Sequence, residues 1–227
     1  VVEQFLMRDY PEEAPMLDAI NAILSKFPVL VTFNGRTFDV PLLQNRFLMN
    51  RVRDAHISDC HADVLHASRR VWKLRLGRCT LQKLEQTVLG VSRDDDLPGD
   101  QVPQTYFHYL KNGDFAPLER VLEHNRQDVV SLAQLFFFLC KLYHQPECVE
   151  ETADLFSMAR AMEKRGQTSK AKKCYRLAAK DTKRADAFAA LAIQEKREGR
   201  AERALKLYAA MLARGDDPVN ACVGLSK

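Results

Sequence analysis

A chain of 227 residues is long enough for two modest domains, or for one large and one small. With 46% hydrophobic and 28% charged residues and only 9 Gly and 9 Pro, the composition excludes a disordered chain, and no apolar run reaches the ~18–20 residues of a membrane-spanning helix. The formal charge of +4 is unevenly placed, with 17 Lys and Arg against 19 Asp and Glu over 1–148 and 17 against 11 over 149–227, so the cationic surplus, which suits a polyanion or a solvated helical face, lies in the last third.

Val1 to Met7 alternates imperfectly and predicts a strand, closed by Asp9-Tyr10-Pro11. The start has no Met and lacks the basic-then-apolar plan of a signal peptide, so the expectation is a fragment whose first strands lie upstream. Pro11-Glu12-Glu13 is a good first helical turn, followed by an apolar stripe of Met16, Leu17, Ile20, Ile23 and Leu24. Val29 to Phe33 has the pattern of a buried central strand, Asn34-Gly35 turns the chain, and Asp39 heads a helix through Leu42, Leu43 and Phe47. Ile57 to Leu65 is a weaker strand, followed by the basic segment Arg69-Arg70-Val71-Trp72-Lys73. Thr80 opens a short helix ending near Gly90, and Ser92 to Pro103, with Asp94-Asp95-Asp96, is a solvated loop. Helices return at about 104–111 and 116–143. Strands alternating with helices over 1–148 imply an α/β layer fold.

From 149 onward the pattern changes. Leu155, Ala159, Gly166, Ala171, Tyr175 and Ala178 recur 33 positions later as Phe188, Ala192, Gly199, Ala204, Tyr208 and Met211. Small residues at a helix crossing, a Gly in the turn and an aromatic on the second helix resemble the roughly 34-residue tetratricopeptide repeat. A third repeat begins after Pro218 and lacks a partner at Lys227, so truncation is expected here too. The six cysteines form no CxxC pair, as in a reduced, cytoplasmic protein, and Cys60, His61 and His66 beside His56 lack the paired spacings of structural zinc.

Two constellations carry chemistry. In the first, the strand ending at Phe33 delivers Asn34 and then Asp39 to the carboxyl edge of a sheet, where open α/β sheets place ligands; the plain alternative is a turn and a helix cap. In the second, His124 and Asp128 share one helix face at a spacing of four, just before the apolar run Val129 to Leu135; an exposed i,i+4 pair is the plain alternative. Carboxylates crowded at a sheet edge repel unless a divalent cation gathers them, and oxygen ligands suit Mg²⁺ or Mn²⁺. Six cations, Arg69, Arg70, Lys73, Arg75, Arg78 and Lys83, surround Trp72 with no acid among them, a set that suits phosphates and a stacked base of a single strand. Core tryptophan and surface charge would produce the same string.

Asn34-x3-Phe38-Asp39 resembles the second motif of the DEDD (DnaQ-like) exonucleases, and His124-x3-Asp128 resembles their third, although histidine at this spacing departs from Tyr-x3-Asp or His-x4-Asp. A closer resemblance is to a bacterial ribonuclease H-like domain family with C-terminal tetratricopeptide repeats, through 31–43, 61–73 and 124–132. It implies a mixed sheet with flanking helices over 1–148, lacking its first strands, and an all-α repeat domain over 149–227. It also implies a two-metal 3′→5′ exonuclease acting on single-stranded DNA or RNA. By carry-over Asp39 and Asp128 would be metal ligands, His124 would position or deprotonate the attacking water, and Asn34 would shape the second motif beside the substrate, while Arg69, Arg70, Trp72 and Lys73 are the substrate contacts that the charge pattern itself offers. Asp63 and His66 fit the family pattern as strand-end hydrogen-bonding groups outside the metal site. The superfamily's first motif, Asp-x-Glu, occurs nowhere in the sequence, so the chain alone is expected to bind metal poorly and cut inefficiently. The competing expectations are a non-catalytic nucleic-acid-binding module with a protein-docking repeat domain, and a scaffold whose repeats do all the work.

Overall fold

The computed structural model describes residues 1–93, 97–181, 184–216 and 218–226. The acidic triplet Asp94-Asp95-Asp96 lies outside the described residues. The chain forms two compact units, each built from segments distant in sequence: Val1–Ala67 with Thr80–Phe138, and Ser68–Cys79 with Leu139–Lys227.

In the first unit Asp9 caps a 3-10 turn, Tyr10–Glu12, that runs into helix α1, Glu13–Leu24. Strand β1 (Leu30–Thr32), helix α2 (Asp39–Met49) and strand β2 (His61–Asp63) follow. The strands pair in parallel, Leu30 opposite His61 and Thr32 opposite Asp63. Parallel neighbours cannot be joined by a tight turn, and α2 supplies the crossover. Leu17 of α1 and Phe47 of α2 are buried, and an ion pair between Glu13 and Arg46 joins the two helices. Thr80 caps α4 (Leu81–Leu84), accepting from the Lys83 N–H, and the helix widens into a π turn, Glu85–Leu89, stopped by Gly90 at φ 68°. Helix α5 (Val102–Asn112) precedes α6 (Ala116–His144), whose Leu118 and Leu135 are buried and which from Leu139 belongs to the second unit.

The expected mixed sheet reduces, among the described residues, to this parallel pair. Val1 to Met7 is not a strand. A strand persists only with a ladder partner, and this segment is held instead by side chains: Gln4 Nε2 donates to the Leu122 carbonyl at 2.8 Å, and the Tyr106 hydroxyl donates to the Met7 carbonyl at 2.6 Å.

Helix α3 (Val64–Leu76) has its first turn in the first unit and continues from Ser68 in the second. The second unit adds α7 (Thr152–Lys164), α8 (Thr168–Ala178), α9 (Ala185–Arg197), α10 (Ala201–Ala213) and α11 (Pro218–Ser226). Helix starts recur every 33 residues, from Thr152 to Ala185 to Pro218 and from Thr168 to Ala201. Gly166 and Gly199 take the left-handed conformation between paired helices, and Ala159, Ala171, Ala178, Ala192 and Ala204 are buried. Small side chains let the helix backbones approach, and Tyr175 and Tyr208 fill the space beside them, both buried. Among the described residues no helix is long and apolar enough to cross a membrane.

Candidate functional site

At the end of β1 the chain reverses through Asn34, whose φ of 66° a short polar side chain tolerates. Asp63, at the end of the neighbouring strand, organises this turn. Its Oδ1 accepts from the backbone N–H of Asn34 at 3.0 Å and of Leu65 at 3.1 Å, and its Oδ2 accepts from the Arg36 N–H at 3.1 Å. One carboxylate thus fixes both the turn after β1 and the start of α3, the strand-end role expected for it. Asn34 Oδ1 accepts from the Thr37 hydroxyl at 3.0 Å, a contact internal to the turn. Asp39 follows in the first turn of α2, exposed.

The second constellation lies on α6. Asp128 Oδ1 accepts from Arg93 Nη2 at 2.5 Å, and Arg93 Nη1 lies 3.3 Å from His124 Nδ1. A guanidinium only donates, so this contact makes Nδ1 the acceptor and leaves the ring proton of neutral His124 on Nε2, which lies 3.7 Å from Asp128 Oδ2. Arg93 Nη2 also donates to Glu85 Oε1 at 2.5 Å. Glu85 is completely buried on the π turn; burial pushes the Arg93 pKa down, but its bonds to the Glu85 and Asp128 carboxylates outweigh this and raise it. His124, Asp128 and Arg93 line a cleft of about 470 Å³ with Gln82, Leu81 and Leu97.

Asp39 is not among the residues lining that cleft. Among the described residues no three His, Cys, Asp or Glu side chains cluster as a metal site. A divalent cation needs several oxygen ligands, and the Asp128 oxygen facing Arg93 is already matched by a fixed positive charge. The residues present therefore do not by themselves fit the two-metal centre that the exonuclease resemblance implies.

Trp72, expected as a stacking platform, is 1% exposed and belongs to the core of the second unit with Val71. The basic segment is helical, and apolar residues at successive turns of an amphipathic helix face inward while the charges face out. Arg75 is also withdrawn from any substrate role, because its guanidinium makes a two-pronged contact with buried Asp154, Nη2 to Oδ2 at 2.7 Å and Nε to Oδ1 at 3.0 Å. Arg69, Arg70 and Lys73 remain exposed.

Glu85 and Arg93 escaped the sequence reading. A signal for Glu85 existed: it falls on the stripe Leu81, Leu84, Val88, where an acid must meet a cation. Nothing in the spacing singles out Arg93.

The RNase_H superfamily model matches residues 1–140. An uncharacterized protein of Bacillus subtilis (strain 168), YprB, is 33% identical over 183 residues, covering 79% of this chain and 44% of that protein, so the chain spans less than half the length of the curated relative it matches. No solved structure matches. With a parallel βαβ unit, an acid-organised strand end and a family match over more than half its length, the chain belongs to the RNase H superfamily.

Proposed function

We propose that the intact protein, with this chain as part of it, hydrolyses phosphodiester bonds of single-stranded DNA or RNA from the 3′ end, as a 3′→5′ exonuclease. The observation that carries this reading is the His124–Asp128 pair in a cleft of a domain of this superfamily. Within the proposal, His124 and Asp128 meet the reacting phosphate, Arg93 holds both in place, and Arg69, Arg70 and Lys73 contact the backbone. Asp39 and the turn at Asn34 border the substrate path. Dependence on Mg²⁺ or Mn²⁺, with Asp39 and Asp128 as ligands, enters through the family resemblance alone. The 33-residue helical hairpins are proposed as tetratricopeptide-type repeats, forming a domain from 149 onward that docks a partner protein or extends the nucleic-acid path.

A second reading, a non-catalytic nucleic-acid-binding module, draws support from Arg93 occupying Asp128 and from the absence of Asp-x-Glu. One experiment separates them. A 5′-labelled oligonucleotide incubated with the intact protein and Mn²⁺ is expected to shorten as a ladder from its 3′ end, and EDTA or Asp128→Asn in that protein is expected to stop it. Retention of intact oligonucleotide without shortening would select the binding module.

A further inference from the structure

The second unit contains a cleft of about 840 Å³ whose walls come from two helices. Helix α3 contributes Arg69, Arg70 and Lys73, and α7 with its C-terminal residue contributes Arg160, Lys164 and Arg165. All six side chains are exposed, no acidic residue lines the cleft, and among the described residues none of the six has an ion-pair partner. Arg69 and Lys73, like Arg160 and Lys164, stand one helical turn apart, so each wall presents a row of charge. Leu74, Phe156 and Ala161 add an apolar part to the lining. Burial pushes the Tyr143 phenol pKa up, and the charges of Arg165 and Arg70 oppose that push.

Six uncompensated cations facing one concavity repel each other and focus a positive potential into it, and a ligand carrying regularly spaced negative charge relieves that repulsion. Four of the six are arginines, whose planar forks match phosphate oxygens. We infer that this cleft binds the phosphate backbone of a nucleic-acid strand, and that Arg160, Lys164 and Arg165, on the first helix of the repeat array, are substrate-contacting residues. The array is then part of the nucleic-acid surface and not only a protein-docking element. The choice of nucleic acid over an acidic polypeptide rests on the nuclease reading above.

The test is fluorescence anisotropy of a labelled 20-nucleotide oligothymidylate in EDTA, so that binding is read without hydrolysis. Replacing Arg160, Lys164 and Arg165 together by Glu is expected to weaken binding at least about tenfold near 0.1 M salt and to make the slope of log K against log salt shallower by about 2, at roughly 0.7 per lost phosphate contact. The triple Gln variant, with its milder change at exposed positions, should retain the wild-type circular dichroism spectrum and show an intermediate loss. Wild-type affinity and slope in both variants would overturn the inference, as would displacement of the oligonucleotide by polyglutamate at equal charge. Cleft-dependent binding by a protein that never shortens DNA or RNA with Mn²⁺ would leave this inference standing while the nuclease reading fell.

Discussion

Arg93 and Asp128 are joined at 2.5 Å, and the same guanidinium nitrogen reaches Glu85 at 2.5 Å, so one cation serves a half-exposed carboxylate and a fully buried one. The two acids differ in what they lose without it. Water can solvate Asp128, whose side chain is 38% exposed, but not Glu85. Arg93→Ala is therefore expected to cost about 3–5 kcal/mol in urea unfolding, and Asp128→Asn about 1 kcal/mol or less. A combined Arg93→Met, Glu85→Leu variant should recover most of the loss. Equal costs for Arg93→Ala and Asp128→Asn would refute the division of roles.

Gly35 has no room for a side chain. A Cβ built there would fall 2.5 Å from Thr32 Cβ and 2.6 Å from Thr32 Oγ1, and that hydroxyl lies 2.7 Å from His61 Nε2 across the two strands. Gly35→Ala must displace Thr32 and break this link, at an expected cost of about 1–3 kcal/mol. Thermal unfolding of Gly35→Ala alone and with Thr32→Ala checks it: the second change should relieve part of the first.

Arg75 and Arg70 sit on the same helix and look alike in the sequence, yet only Arg75 meets a buried acid. Arg75→Ala strands Asp154, 4% exposed, without a counter-charge and is expected to lower stability by about 3–5 kcal/mol. Arg70→Ala should change stability by less than about 0.5 kcal/mol and reduce affinity for oligonucleotide instead. Chemical denaturation beside anisotropy separates the two effects.

Acid should strike the second unit through Glu195. Burial disfavours its charge, but hydrogen bonds from Arg200 and Lys172 outweigh it and hold its carboxyl down to about 2. A carboxyl depressed in the folded state contributes stability that is complete above its unfolded pKa of about 4.3 and is lost as pH falls through the folded value. Stability at pH 7 should exceed that at pH 2.5, and Glu195→Gln should remove about 3 kcal/mol at pH 7 while flattening the dependence between pH 5 and 2. An unaltered acid limb in Glu195→Gln would place the acid sensitivity elsewhere.

How legible these features were in the sequence followed from the range of the forces behind them. Helix boundaries set by local chemistry, such as the Thr80 cap, the stop at Gly90 and the 33-residue register carried by Gly166 and Gly199, could be read directly. The sequence predicts a strand over 57–65 where β2 spans His61–Asp63, and one over Val1 to Met7 where none forms, because pairing depends on a distant partner that a local pattern does not reveal. The basic string 69–73 fits a stacking surface and a core tryptophan equally well in the sequence; the helix turns Trp72 inward and commits nearby Arg75 to a residue 79 positions away. Charge could be counted along the chain, but its compensation is a property of three dimensions. The six-cation cleft was half visible for the same reason, since Arg160, Lys164 and Arg165 belong to a helix that local reading assigned to the repeats alone.

The insertion of Ser68–Cys79 into the second unit has a consequence for biosynthesis. The ribosome emits Val71 and Trp72 before the 59 residues of Thr80–Phe138, a delay of roughly 3–12 s at ordinary elongation rates, and only then the chain against which they are buried. During that interval the indole of Trp72 is without the rest of its unit. The same threading raises the contact order, and a protease cut within 80–138 would leave the second unit as two pieces held together by packing alone.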